Sequence, residues 1–301
     1  MLKKKIRVAI IGTGNIGSDL CARMLRIPNF EVVALVGRRA DSPGLELFKN
    51  EVKNLITTGI DGLEHIQDQF EGFFDATSAL DHVLHWETLK KYNKWAIDLT
   101  PSGVGVPMVP ELLDLEPQFK LERSICANYS MVTCGGQSSA PLIYAMSKYS
   151  KGISEIEVSS SIASKSAGPA TRRNIDQYIE TTEKLIQLIS GCNKSKAILI
   201  LNPAEPPVMM RTTVQVRVKN CDVRKCSEKV EQIVGSLKKY VPGYELVSAP
   251  FFSSPNVLTC TVKVVGAGYF LPTYSGNLDI INAAAVETAM RHSNSHEGSR
   301  V

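Results

Sequence analysis

The pattern of apolar and polar positions changes character near the middle of the chain. In the first 130 residues, short and almost unbroken apolar runs at Ile6 to Ile11 and Glu31 to Val36 flank an amphipathic stretch, Ser18 to Leu25. Such runs predict strands buried on both faces, and their spacing predicts strand, helix and parallel strand. Further strands are expected at Gly72 to Ser78 and Lys94 to Pro101, each ending in small polar residues, as strand ends that face a ligand crevice do. The second half instead alternates apolar with polar from Ile153 to Ile162, then takes a helical repeat from Ile175 to about Ile189, stopped by Ser190-Gly191. A strand at Lys196 to Leu201 is halted by Asn202-Pro203-Ala204-Glu205-Pro206-Pro207, and strands at Thr212 to Val218 and Val257 to Val265 flank an amphipathic helix from about Val223 to Tyr240. The expected fold class is α/β: an N-terminal Rossmann-type parallel-sheet domain over residues 1–130, then an α+β catalytic and dimerisation domain over 131–276 with an antiparallel sheet. An alanine-rich helix over 277–301 is expected to return to the first domain and complete it.

The junction after the first strand carries chemistry. Gly12-Thr13-Gly14-Asn15-Ile16-Gly17 follows that strand directly and opens the first helix. A pyrophosphate can be held there if Gly12 makes the turn, Gly14 lets the backbone approach and Gly17 lets helix and strand pack closely. Where an acidic residue would receive the adenosine ribose after the second strand, the chain has Gly37-Arg38-Arg39. An arginine there pairs with a 2′-phosphate, so NADP(H) is the expectation. His82 and His85 have no apparent partner and read as ordinary helix residues.

A second junction, Met131-Val132-Thr133-Cys134-Gly135-Gly136-Gln137, joins an expected strand ending at Thr133 to an expected helix around Ala140 to Met146 with Pro141 in its first turn. A cysteine near a helix N-terminus is expected to have a lowered pKa, and the glycines after it to leave room for substrate and for backbone donors to an oxyanion. Cys134 is the candidate nucleophile, whereas Cys21, Cys126, Cys192, Cys221, Cys226 and Cys260 read as small buried hydrophobes.

Composition changes this picture little. A net charge of +4 over 301 residues favours neither nucleic acid nor membrane and suits an anionic ligand. Seven cysteines without a Cys-x-x-Cys pair, and no secretory signal before Lys3-Lys4-Lys5, point to a reducing cytoplasm.

The motifs Gly-Thr-Gly-Asn-Ile-Gly, Asp75-Ala-Thr-Ser-Ala, Ile97-Asp-Leu-Thr-Pro, Met131-Val-Thr-Cys-Gly-Gly-Gln, Lys165-Ser-Ala-Gly-Pro, Asn202-Pro-Ala-Glu-Pro-Pro and Gly276-Asn-Leu-Asp-Ile occur in this order. With them the chain resembles the acylating acetaldehyde dehydrogenases. The resemblance implies conversion of a small aldehyde and coenzyme A to an acyl-CoA with NAD or NADP, in a fold similar to the semialdehyde dehydrogenases. It implies an acyl thioester on Cys134. It also implies cofactor contacts at Thr13, Gly14, Asn15 and Ile16, at Ser166, Ala167, Gly168, Pro169, Ala170, Thr171, Arg172, Arg173 and Asn174, and at Asn277. A homo-oligomer and a 4-hydroxy-2-oxovalerate aldolase partner are implied as well; no metal is.

Three positions depart from the family pattern: Arg39 replaces an acidic residue, Thr212 stands where an aspartate would help the cysteine ionise, and Tyr269 replaces a histidine. Glu205 is a substitute carboxylate, the helix dipole alone is an alternative, and a different thioester substrate is a third. Two other functions remain open, a phosphorylating semialdehyde dehydrogenase and a non-catalytic subunit that stabilises an aldolase.

Overall fold

The computed structural model describes residues 5–113, 115–122 and 124–297. The nearly continuous apolar runs of the first half become the interior of a parallel sheet, because side chains on both faces of each strand need cover. In chain order the elements are β1 (Ile6–Ile11), α1 (Asn15–Met24), β2 (Phe30–Val36), α2 (Pro43–Leu47), β3 (Asn54–Ile56), β4 (Gly72–Asp75), α3 (Ala79–Leu89), β5 (Trp95–Asp98), β6 (Val106–Pro107) and β7 (Asn128–Ser130). The seven strands lie in the order β3-β2-β1-β4-β5-β7-β6, and each adjacent pair is parallel. This is the Rossmann-type arrangement. The strand order reverses between β1 and β4, which leaves a crevice at their carboxyl ends.

The chain continues through α4 (Cys134–Lys148), β8 (Ser150–Lys151), β9 (Glu155–Ala163), α5 (Pro169–Arg173), α6 (Ile175–Ser190), β10 (Ser195–Asn202), β11 (Met210–Arg217), β12 (Asn220–Cys221), α7 (Val223–Leu237), β13 (Tyr244–Ser254), β14 (Val257–Val264) and α8 (Gly276–Glu297). A five-stranded sheet in the order β10-β9-β11-β14-β13 carries α4, α6 and α7 on one face. Its alternating strands, such as β11 with every second residue buried, fit a sheet with one covered face.

Two expectations need correction, and one strand was not foreseen. The second sheet is mixed, since β9 and β10 pair in parallel and are joined through α6. Its edge strand β13 has no clean alternation, with three register shifts against β14, and periodicity gave no sign of it. Residues 164–174, expected as a loop, hold the one-turn helix α5.

Helix α8 unites the two layers. Ile280 and Ala283 enter the core around the mixed sheet, whereas Ile281, Ala284, Ala285, Val286 and Ala289 enter the core under the parallel sheet. Alanine on successive faces lets both layers close on one helix, and each fully buried Ile or Val contributes about 1.5–3 kcal/mol relative to exposure. A buried ion pair from Arg23 to Asp279, and Asn282 donating to Asp19 Oδ2 at 2.9 Å, fix α8 against α1. Residues 298–301, included in the expected terminal helix, lie outside the described residues.

Candidate active site

The glycine turn is shaped by close approach. Gly12 has φ +108°, and a Cβ on Gly17 would lie 2.0 Å from the Gly12 carbonyl oxygen. A Cβ on Gly14 would instead point into open space. Gly14 caps α1 without a side-chain hydrogen bond and no acidic residue stands in the first turn, so the first amides of the helix are free for an anion. Beside them runs a groove of about 640 Å3 lined by residues that include Thr13, Gly14, Arg38, Thr77, His85, Arg173 and Asn174. The donors and the shape fit the diphosphate of a dinucleotide.

At its inner end this groove meets a narrower pocket of about 80 Å3, with Thr77, Pro101 and Asn174 common to both walls. Cys134 lines that pocket with Ile16, Thr133, Thr171, Tyr178 and Asn277. Asn277 is buried, and its Oδ1 has no hydrogen-bond partner. A buried amide oxygen without a donor is costly, and a carboxamide such as that of nicotinamide would supply one.

Cys134 is the first residue of α4, which begins six residues before the expected helix and places Pro141 in its interior rather than its first turn. The preceding strand ends at Ser130, not Thr133. Between them Val132 adopts φ +53°, a conformation that costs a β-branched residue on the order of 1–3 kcal/mol. That bend turns Thr133 into the helix cap, with its Oγ1 accepting from the Gly136 amide at 2.8 Å. The Thr182 hydroxyl of α6 holds the same Oγ1 at 2.7 Å. The amides of Cys134 and Gly135 are left to act on the sulfur.

The helix start does not give the lowered thiol pKa expected of it. Burial pushes the Cys134 thiol up to about 11, against the downward pull of the Tyr178 hydroxyl and of the Gly135 and Cys134 amides. The two glycines also make room for something other than substrate. A Cβ on Gly135 would lie 2.0 Å from the Tyr178 hydroxyl, and one on Gly136 would lie 2.9 Å from Leu185 Cδ2. Their role here is the close packing of α6 on α4.

Behind Cys134 stands a column of uncharged hydroxyls. Thr212 is fully buried, 2.8 Å from Ser138 Oγ and 3.2 Å from Ser160 Oγ, and the Tyr178 hydroxyl rests against Ser160 and Cys134. Neither Glu205, the substitute carboxylate, nor Tyr269, which stands in place of a histidine, reaches this column. Glu205 is exposed and pairs with Lys165, while Tyr269 lies under the guanidinium groups of Arg23 and Arg26.

A charged cluster lies elsewhere, beneath the dinucleotide groove. The buried Asp75 carboxylate accepts from the Thr77 hydroxyl at 2.5 Å and meets His82 Nδ1 at 3.0 Å and His85 Nδ1 at 2.8 Å. Burial alone would raise the Asp75 carboxyl, but hydrogen bonds from His82 and His85 overcome it and hold it down at about 2. Burial likewise works against a charged His82, and the Asp75 hydrogen bond and the Asp98 charge reverse that and raise its pKa. Burial pushes Asp98 up to about 6. His82 and His85 are therefore not ordinary helix residues; their partner is on a strand, where sequence spacing could not show it.

Of the positions expected to contact a cofactor, Thr13, Gly14, Arg173 and Asn174 line the groove, and Ile16, Thr171, Asn174 and Asn277 line the cysteine pocket. Asn15, Ser166, Ala167, Gly168, Pro169 and Arg172 are not among the residues that line either. Ser166 donates to the Ala163 carbonyl and Arg172 folds back on the Ser164 and Ala167 carbonyls, so these two brace the 164–174 segment. The side chain of Ala170 lies outside the described residues. Arg38 reaches the groove wall, 3.8 Å from Asp81, whereas Arg39 pairs with exposed Asp41. Sequence reasoning did not single out Tyr178, Gln177 or Thr77; Tyr178 was hidden on the apolar stripe of a helix.

Residues 134–272 match the family model described as "Prokaryotic acetaldehyde dehydrogenase, dimerisation". An acetaldehyde dehydrogenase of Carboxydothermus hydrogenoformans is 44% identical over 96% of this chain and 93% of its own. One from Pectobacterium atrosepticum is 44% identical over 95% of both chains. An aspartate semialdehyde dehydrogenase II of Vibrio cholerae shares the fold, with a TM-score of 0.65 at 15% identity over 97% of this chain and all of that one.

Proposed function

This chain belongs to the acetaldehyde dehydrogenase family, and we propose that it oxidises a short aldehyde to its acyl-CoA, or reduces the acyl-CoA, through a thioester on Cys134. One observation carries the reading: the Cys134 pocket adjoins the groove of the glycine turn, the two sharing Thr77, Pro101 and Asn174 in their walls. A nucleophile and a hydride acceptor would thus face one substrate carbon.

The dinucleotide, when bound, supplies the hydride acceptor. In this reading the free amides of α1 hold its phosphates, and Asn277 receives the carboxamide through its unpartnered Oδ1. The Cys134 sulfur adds to the aldehyde carbon, and the amides at the start of α4 face the oxygen that gains charge. Once hydride has left, the acyl group remains on Cys134 as a thioester, and the thiol of coenzyme A displaces it. Coenzyme A is favoured over phosphate as the second substrate because no Lys, Arg or His is among the residues lining the cysteine pocket. Self-association through the second layer is part of the same proposal, supported by the dimerisation family model and by the exposed Val247, Phe251 and Phe252 on edge strand β13.

The test is a cofactor-reduction assay with short aldehydes, with and without coenzyme A and with either nicotinamide. Reduction that requires both aldehyde and coenzyme A is the expected result. Turnover that requires phosphate instead would overturn it.

A further inference from the structure

A thiol as deeply set as Cys134 needs help to ionise, and no charged side chain lines its pocket among the described residues. The polar groups that surround it are Thr77, Thr100, Thr133, Thr171, Asn174, Tyr178 and Asn277, all neutral. Each hydroxyl has one proton to give: Thr77 gives its own to Asp75, and Thr133 to Thr182, whose proton goes to the Tyr178 carbonyl. Thr100 and Tyr178 are the buried pocket hydroxyls without a partner, and Tyr178 is the one that lies against the first turn of α4. Ser138 spends its proton on the Gly135 carbonyl at 3.0 Å. It therefore accepts from Thr212, at 2.8 Å, and Thr212 accepts in turn from Ser160, at 3.2 Å. The column is thus polarised away from Tyr178, so Ser160 Oγ, against which the phenol also rests, can accept its proton in competition with the Cys134 sulfur, and of the two a charged thiolate is the stronger acceptor. The Tyr178 hydroxyl, more than nine-tenths buried, meets neither Ser160 nor any other group at an aligned hydrogen-bond geometry, and it lines the same pocket as Cys134, close against Gly135.

We propose that Tyr178 is the hydrogen-bond donor that stabilises the Cys134 thiolate, taking the place of a charged base. The backbone is built to bring it there. Tyr178 and Thr182 stand one turn apart on the buried face of α6, and Thr182 pins the cap of α4 while Tyr178 reaches its first residue. The absence of a Cβ at Gly135 is what admits the phenol oxygen. Burial raises the Tyr178 phenol well above its usual range, so it keeps its proton and acts as a donor, not a base. No proton is transferred to or from the ring, and the thiol proton leaves to solvent when the thiolate forms.

The inference deepens the thioester reading, and its test does not depend on turnover. Cys134 in the full-length protein is alkylated with iodoacetamide between about pH 7 and 9, and labelling is followed on the Cys134 peptide by mass spectrometry, so the other cysteines do not interfere. A hydrogen bond to an ion is worth about one to two pH units of thiolate ionisation. The higher nucleophilicity of the more basic thiolate offsets part of this, so Tyr178→Phe is expected to slow labelling about three- to ten-fold at each pH. Site-specific replacement of Tyr178 by 3-fluorotyrosine, a stronger donor of nearly the same shape, is expected to raise the thiolate fraction. An unchanged labelling rate in Tyr178→Phe at an unchanged melting temperature overturns the proposal. So does an unchanged thiolate fraction in the fluorinated protein, which serves if Tyr178→Phe folds poorly. A wild-type protein without aldehyde- and coenzyme A-dependent cofactor reduction would sink the thioester reading instead, and the labelling comparison would still be readable.

Discussion

Two buried polar clusters in this molecule are built on opposite principles. Under the dinucleotide groove, Asp75, His82, His85 and Asp98 bring four titratable groups together. Behind Cys134, Ser138, Ser160, Tyr178 and Thr212 make a column without a formal charge. The charged cluster compensates itself, carboxylate against imidazole, and so ties β4 and β5 to α3. The hydroxyl column has no such compensation to offer a thiolate, and burial keeps the Cys134 thiol high. Charge in these clusters is placed where it fixes the scaffold, and the Cys134 sulfur is left to backbone amides and neutral hydroxyls.

The largest expected effect falls on the uncharged side. Cys134→Ser should remove thioester formation, with a loss of about 10³-fold or more in cofactor reduction and nearly unchanged nucleotide affinity, read by single-turnover assay and fluorescence titration. Retained acyl transfer in that variant would end the comparison, since the column would then have no reactive partner. On the charged side Asp75→Asn leaves His82 and His85 without their shared carboxylate, and a cost of about 3–5 kcal/mol is expected in urea denaturation. A change below about 1 kcal/mol would show the cluster to be incidental.

A third histidine sharpens the contrast, because among the described residues no carboxylate pairs with it. Burial, aided by the charge of His296, pushes His292 down to about 4, and its Nδ1 lies 3.0 Å from the Tyr129 hydroxyl. Its folded pKa lies below its unfolded value, so the unfolded chain binds the extra proton. The contribution is therefore complete above about pH 6.5 and lost as pH falls toward 4, by about 3 kcal/mol in all. Melting His292→Gln beside the parent at pH 7 and pH 5 should show a shallower acid loss in the variant; parallel losses would refute this. The smallest effect concerns the groove wall. Arg38→Ala should lower preference for NADP(H) over NAD(H) by up to about ten-fold in kcat/KM, and an unaltered ratio would remove Arg38 from cofactor choice.

Local sequence made much of the scaffold legible. Strands β1, β2, β4 and β5, the glycine turn and the long helices were all visible because each depends on neighbours within a few residues. The start of α4 was misplaced because its signal, a left-handed Val132 before the Thr133 cap, is a conformation that valine does not advertise. Strand β13 was missed because its irregular pairing erases the period-two pattern.

What the sequence determined by itself was the family motifs, the two-layer α/β plan and the prominence of Cys134, since these rest on residue types in fixed local order. The tertiary structure alone decided the surroundings of that cysteine. Tyr178 and Ser160 come from different elements, and Thr212 arrives from β11, so their meeting depends on how α6 and the mixed sheet close on α4. The same holds for Asp75 between two histidines of α3. Ionisation is set by burial and by partners distant in the chain, and these exist only once the layers have packed.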